Sequence, residues 1–448
     1  MSEPIEAFKN AFKIPELKNR IIFTLIMLAV YRLGCHVPTP GVDGAALAAK
    51  MSQAGGLLGF YDMFSGGAFS RATVFALGIM PYITASIILS LLIPVVPALE
   101  NLQKQGQEGQ KKITEYTRYG TIGLCIVQSI GIAVFLQSLG TEIVPRPGIG
   151  FILMCIISFT TGTAFIMWLG EQISEQGIGN GISLIIFTSI ISRMPAALRS
   201  LVSLIFVSEQ INMFQGLFLV FLMVLVVAGA ILITTGQRRI PVQYPRQVKG
   251  RRVSGGQRTY LPLRVNQAGV MPIIFAISVA LFPGQIAQAL MGPTTMTRIA
   301  GLFHVSEQAV ASAMLAIRTF TTPGENHFAS FLYFLLVILF TYFYTAVTFN
   351  PEQISENLQK NGGAVPGIRP GASTRDYLDR ILYRITLAGA LFLGLIALMQ
   401  YYVGDITGVT TFTLVGGTSL LIVVGVALDT MQQIEAQLLM RHYSGFLK

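Results

Sequence analysis

Residues 267–290, QAGVMPIIFAISVALFPGQIAQAL, contain no charged side chain. At about 1.5 Å per residue such a helix is ~36 Å long, enough to cross the ~30 Å hydrocarbon core of a bilayer with some tilt. Comparable blocks lie at 21–37, 72–93, 118–138, 151–169, 181–197, 213–234, 328–349, 382–402 and 410–429, so ten spans are expected. The fifth is the least regular, because Arg193 and Pro195 interrupt it and a second apolar piece, 201–206, follows. Composition agrees: 52% of the 448 residues are hydrophobic and 12% charged, with mean hydropathy +0.63. A soluble domain is about a quarter charged, so this chain has too little charge to coat a globule in water. The expected class is an all-α integral membrane protein.

Within the opening stretch, Gly269-Val270-Met271-Pro272-Ile273-Ile274 echoes Gly78-Ile79-Met80-Pro81-Tyr82-Ile83 of the second span. Gly181-Ile182-Ser183-Leu184-Ile185-Ile186 of the fifth likewise matches Gly417-Thr418-Ser419-Leu420-Leu421-Ile422 of the tenth. The order, second with seventh and fifth with tenth, is that of a five-plus-five duplication. Five being odd, the second half inserts upside down, and inverted repeats build their functional path at the interface of the halves near the midplane. The halves are expected at 21–197 and 213–429, joined by an external segment 198–212. Pro81 and Pro272 fall inside their expected spans. They read either as tolerated membrane-helix prolines or as bends where the halves meet.

About three quarters of the 31 Lys and Arg residues lie in alternate loops that include both ends, the N-terminal 1–20 and the tail 430–448, which places both termini on the cytoplasmic side. The 1–20 segment is polar and amphipathic without a cleavage pattern, so the first span is expected to target the chain. Cys35, Cys125 and Cys155 lie in or beside apolar blocks and imply no disulfide framework. The deep span interiors hold no titratable group, which weighs against an ion-coupled carrier. His36, His304, His327 and His442 are scattered without metal-ligand spacing, no nucleotide or nucleophile motif is present, and no cofactor, metal or catalytic residue is expected. The driving energy must then come from a partner.

Two cytoplasmic loops stand out. Loop 235–266 carries Arg238, Arg239, Arg246, Lys249, Arg251, Arg252, Arg258 and Arg264 with no acid. Extended character in 237–248 and 252–265 around Gly250 suggests a protruding hairpin. Orientation and anionic lipid explain part of that charge, and the excess suits structured RNA or an acidic protein surface. Loop 350–384 contains GGAVPGIRPG (362–371), whose glycines and prolines fix a tight turn around Arg369. On the other side, the apolar run 55–67 is too short to span and is bracketed by paired glycines. It reads as a packed external loop or as a re-entrant piece inside a cavity.

MFSGGAFSRATVFALGIMPYI (63–83), MWLGEQISEQGIGNGISLIIF (167–187), GQRRIPVQY (236–244), FNPEQISENLQKNGGAVPGIRPG (349–371) and GGTSLLIVVGVALD (416–429) together resemble the bacterial SecY family, the pore subunits of the Sec protein translocase. The similarity runs in order over nearly the whole chain. It implies a passive channel in the bacterial plasma membrane that passes unfolded preproteins and releases apolar segments and signal sequences sideways into lipid. By matching motif, the constricting ring would be Ile79, Ile83, Ile182, Ile186, Ile274 and Ile422. The plug helix would be Leu57, Leu58, Gly59, Phe60, Tyr61, Asp62, Met63, Phe64, Ser65, Gly66 and Gly67. Thr84, where the family has Ser, with Gln128 and Asn266 would bridge a lateral gate formed by spans two and seven, whose midspan prolines are Pro81 and Pro272, alongside spans three and eight. The implied partners are the small subunits SecE and SecG, the motor ATPase SecA and the ribosome, the last two docking on the basic loops with Arg369 foremost. The segment 291–327 is longer than the family pattern leads one to expect. Rival readings are a small-solute transporter, which needs a solute site where this midplane has isoleucine, and an insertase scaffold, which needs no sealed pore.

Overall fold

The computed structural model describes residues 14–51, 62, 64–206, 212–244, 247–249, 252–254, 258–290, 296–297, 300–301, 304, 306–407 and 416–444. In chain order the first half comprises α1 (Pro15–Gly34), α2 (Gly44–Met51), α3 (Met80–Leu92), α4 (Pro97–Lys104), α5 (Gln107–Ser138), α6 (Ile149–Gln176) and α7 (Gly181–Phe206). The second comprises α8 (Met213–Thr235), β1 (Gln237–Gln243), β2 (Gln247–Lys249), β3 (Arg252–Ser254), β4 (Arg258–Arg264), α9 (Met271–Leu290), α10 (Glu307–Thr321), α11 (His327–Thr348), α12 (Pro351–Lys360), α13 (Ala372–Thr407) and α14 (Thr418–Ser444). Seven described helices, α5, α6, α7, α8, α11, α13 and α14, are long and apolar enough to cross a membrane, and the pair α3–α4, bent by 97°, makes an eighth if taken as one span. The chain is a multi-pass membrane protein. The two remaining expected spans fall on α1, which carries Lys18, Arg20 and Arg32, and on α9, whose apolar run Met271–Gly284 is shorter.

These helices expose apolar side chains outward, as lipid requires: Phe214, Leu217 and Leu232 of α8 are about two-thirds exposed or more. Inside, one buried cluster runs through both halves. The halves meet along two seams, α3 and α5 against α9, and α7 against α14. Span two thus packs on span seven and span five on span ten, the contact between repeat mates that a pseudo-twofold axis produces.

The repeat also corrects the reading of the prolines. Pro81 and Pro272 do not bend helices at midspan, because α3 begins at Met80 and α9 at Met271, each with its proline in the first turn. There a missing N–H costs no intrahelical bond. Ahead of each lies a glycine in the left-handed region, Gly78 at φ +57° and Gly269 at φ +62°, which turns the chain before the helix starts. The interior prolines are instead Pro195 and Pro283, and α7 continues through Pro195, taking in 201–206.

Span two is consequently helical only from Met80. The run before it, including Ala68, Phe69, Phe75 and Leu77, is non-helical yet buried. Irregular backbone is tolerated at membrane depth where protein surrounds it and its polar groups are paired. Here Gly67 N–H donates to the Asp62 carbonyl at 2.9 Å, Thr73 N–H to Ala68 at 3.0 Å, and Val74 N–H to Val37 at 3.0 Å.

The basic hairpin forms as expected. β1 pairs antiparallel with β4, Gln237 opposite Arg264, and β2 with β3 continues the same register. Midway along, the hairpin is joined to the 350–384 loop through reciprocal hydrogen bonds between Gln243 and Ala364, both 2.9 Å. Ile240, Leu263, Phe349, Val365, Leu378 and Ile381 give the joined loops a small core of their own.

Candidate functional site

Five of the six matched isoleucines, Ile79, Ile83, Ile186, Ile274 and Ile422, are buried in the main cluster, and Ile182 is half-buried against it. Ile182 also leans on α6: a Cβ built on Gly170 would stand 3.0 Å from its Cγ1. Along α7, Ile182, Ile186, Ser189 and Arg193 are spaced by four, three and four residues and so share one face. At the start of α7, off that face, Asn180 and Ser183 line a cavity of about 520 Å³, together with Gly269 and Met271 at the head of α9 and Val426 and Asp429 of α14. At its far end the face meets the segment 62–67.

The contacts there are specific. Ser189 Oγ and Tyr31 Oη are 2.7 Å apart, and Tyr31 also donates to the Ser65 carbonyl at 3.5 Å. Arg32 Nη1 donates to the Gly66 carbonyl at 3.0 Å, and Arg193 Nη2 stands 2.5 Å from Asp62 Oδ2. A Cβ on Gly78 would stand 3.4 Å from the Ser65 Cα, which puts this segment over the residue before Ile79. On α7, α9 and α14 the matched isoleucines stand within four residues of cavity-lining positions without lining the cavity themselves. Within the expected plug, Asp62, Phe64, Ser65, Gly66 and Gly67 are described, whereas Leu57, Leu58, Gly59, Phe60, Tyr61 and Met63 lie outside the described residues.

The three polar residues assigned to the lateral gate do not bridge it directly. Thr84 Oγ1 donates to the Met80 carbonyl of its own helix at 3.0 Å, and Asn266 Nδ2 donates to Gly269 at 2.8 Å. The side-chain oxygens of Gln128 and Asn266 are buried without a hydrogen-bond partner. α9 nonetheless packs against α3, α5 and α11, the four helices of the expected gate.

On the loops 235–266 and 350–384, Arg238, Arg239 and Arg369 are exposed. Thr374 Oγ1 donates to the Arg369 carbonyl at 2.9 Å and fixes the turn that presents it. Arg246 and Arg251 lie outside the described residues, and Lys249, Arg252 and Arg258 sit on the hairpin strands. Arg264 Nη2 donates instead to Gln432 of α14 at 2.8 Å. Sequence reasoning missed Tyr31, Arg32, Ser189 and Arg193 as site residues. The available signal was the spacing of Ser189 and Arg193 from Ile182 and Ile186.

Taken together, these features define a multi-pass helical membrane protein whose two halves share one buried apolar cluster. The SecY family model matches residues 73–431, so the chain belongs to the SecY family. The protein translocase subunit SecY of Thermus thermophilus is 45% identical over 449 residues, covering 99% of this chain and 98% of the relative. That of Thermotoga maritima is 42% identical over 454 residues, covering 99% and 98%. Among solved structures, Sec61 in the canine ribosome-channel complex from the endoplasmic reticulum shares the fold at TM-score 0.63 and 16% identity, covering 95% of this chain and 96% of that one.

Proposed function

We propose that the chain is the protein-conducting pore of a bacterial Sec translocase. It crosses the inner membrane ten times with both termini in the cytoplasm, passes unfolded secretory polypeptides, and releases apolar segments into lipid between α3/α5 and α9/α11. The observation that carries this reading is the burial of Ile79, Ile83, Ile186, Ile274 and Ile422 in one cluster through both halves, with α7 running from the cavity at Asn180 and Ser183 to the contacts with segment 62–67. A chain entering from the cytoplasm would meet a wet vestibule, an apolar collar and a stopper in that sequence. Branched aliphatic side chains fit the collar role because they make no specific hydrogen bond with the passing chain and leave no charge for an ion to follow.

Driving force would come from SecA or a ribosome docked on the exposed Arg238, Arg239 and Arg369 of the joined cytoplasmic loops. The canine relative's ribosome-channel complex supports the ribosome as one such partner. SecE and SecG would cover part of the apolar outer surface, and anionic lipid would neutralise hairpin cations near the membrane. The deciding experiment introduces Ile186→Cys or Ile422→Cys and arrests a secretory precursor in transit. Crosslinks from the arrested chain to these positions are expected. Crosslinks found only elsewhere would remove the path from the repeat interface.

A further inference from the structure

We propose that α10 is an in-plane membrane helix, seated by one face in the lipid of the leaflet away from the basic loops. At about 1.5 Å per residue its 15 residues reach ~22 Å, too short to cross a bilayer. It is nonetheless free of charge from Gln308 to Ile317, with Glu307 and Arg318 in its first and last turns. Ser306 Oγ accepts the Ala309 N–H at 3.3 Å and caps its start. β4 leads into α9 and α11 leads into α12, so the helix between them joins the ends of α9 and α11 that lie away from the joined loops.

Helical spacing divides α10 into three stripes. Val310, Met314, Arg318 and Thr321 are buried or half-buried, and this stripe is turned to the protein, where α10 packs on α9 and α11. Gln308, Ser312, Leu315 and Thr319 make a second stripe that is polar except at Leu315. Ala309, Ala313, Ala316, Ile317 and Phe320 make the third, wholly apolar, and all but Ala309 are exposed. An exposed apolar stripe beside a polar one, on a helix too short to span, is the pattern of a helix lying at the boundary of headgroups and acyl chains.

The surface of α11 identifies what covers the third stripe. Phe320 meets Phe328 edge-on, with ring centroids 6.3 Å apart. Phe328 in turn begins the exposed row Phe328, Phe331, Leu332, Leu335 and Leu339 of α11, a helix long and apolar enough to cross the membrane. The apolar stripe of α10 is thus continuous with a surface that lipid must cover. Arg318 Nη2 donates to Glu325 Oε1 at 2.9 Å, fastening the end of α10 to the turn before α11, and within that turn Gly324 N–H donates to Ser330 Oγ at 3.1 Å. The protein therefore sets the angle of the helix, and the stripe meets the bilayer without rearrangement. Because α10 packs on α9, the far end of α9 is held at the depth of the membrane surface, beside the seam where apolar segments leave. That consequence rests on the pore reading, whereas the seating of α10 does not.

The test uses the full chain with its copurifying subunits in vesicles of phosphatidylcholine and phosphatidylglycerol. A nitroxide is attached through Ala313→Cys or Ala316→Cys on the apolar stripe and through Gln308→Cys or Ser312→Cys on the polar one; all four sites are exposed, and native Cys35, Cys125 and Cys155 are buried. Power saturation then compares relaxation by molecular oxygen, which concentrates in lipid, with relaxation by a water-soluble nickel chelate. At 313 and 316 oxygen should exceed nickel several-fold, at a depth of about 5–10 Å into the boundary, and at 308 and 312 the order should reverse. Nickel relaxation at 313 and 316 equal to that at 308 and 312 would put the stripe in water, and protection from both reagents would put it under a protein segment or subunit; either result overturns the proposal. Both leave the pore reading standing, which crosslinking at Ile186→Cys or Ile422→Cys tests separately.

Discussion

Leu378→Ala should open the joined loops 235–266 and 350–384 while leaving the spans in place. Leu378 is 0% exposed, in the small core where β1, β4 and the 362–371 turn meet the start of α13. Truncating a fully buried leucine costs about 2–5 kcal/mol, and the substitution does not weaken the helix itself, because alanine is the better helix former. The core is local, so the loss falls on the opening of the joined loops and not on the bilayer-embedded helices. At about 1.4 kcal/mol per factor of ten, hydrogen exchange should accelerate by about 1.5–3.5 orders of magnitude. The amides of Gln243 and Ala364, which bond each other at 2.9 Å, report it directly. Exchange in α5 and α6 should not change. Equal acceleration everywhere, or none at Gln243 and Ala364, would refute the claim that the two basic loops form one cooperative unit.

Arg369→Glu should stop SecA-driven export of a model precursor while the chain remains inserted, and normal export would remove Arg369 from the docking surface. Ribosome binding should weaken as salt rises, and Arg238→Ala with Arg239→Ala should flatten the log–log salt slope by about 1.5 if both meet phosphate; an unchanged slope in a binding titration would place the contact elsewhere. Ile186→Gly, which opens a gap in the apolar collar, should raise the ion conductance of the idle channel in planar bilayers, and a silent bilayer would argue that another layer makes the seal.

Features carried by local pattern were legible in the sequence. Alternation and Gly250 gave the hairpin, and six-residue echoes gave the repeat whose mates pack together. The family's motifs pointed to isoleucines that the fold buries in one cluster. Where a helix starts was harder to read. Pro81 inside an unbroken apolar block looks like a kink, because hydropathy cannot separate a buried non-helical run from a span, and only the positive φ of Gly78 separates them. Pairings across the chain were not legible at all. Nothing local to Asp62 names Arg193 as its partner, and nothing in GGAVPGIRPG names Gln243.

The inverted repeat makes a sharper demand. If the halves are related by a pseudo-twofold axis, the cavity beside Gly269 must have a counterpart beside Gly78 on the other side of the membrane. A Cβ on Gly269 would have nothing within 4 Å, whereas one on Gly78 would meet Ser65 at 3.4 Å. On the proposed reading the counterpart position is filled by segment 62–67, which would leave a symmetric frame open on one side and stoppered on the other. Asparagine tolerates the left-handed conformation both glycines adopt, so Gly269→Asn and Gly78→Asn impose similar, small backbone strain but face different surroundings. At 269 the side chain enters open space, and thermal stability should hold, as should maleimide protection of Cys35, whose thiol lies 3.8 Å from the Ser65 carbonyl. At 78 it presses on Ser65, and Cys35 labelling and idle ion leak should both rise. Equal behaviour of the two variants would mean that the segment over Gly78 does not fill the symmetry-related vestibule, and the closed state would need another cause.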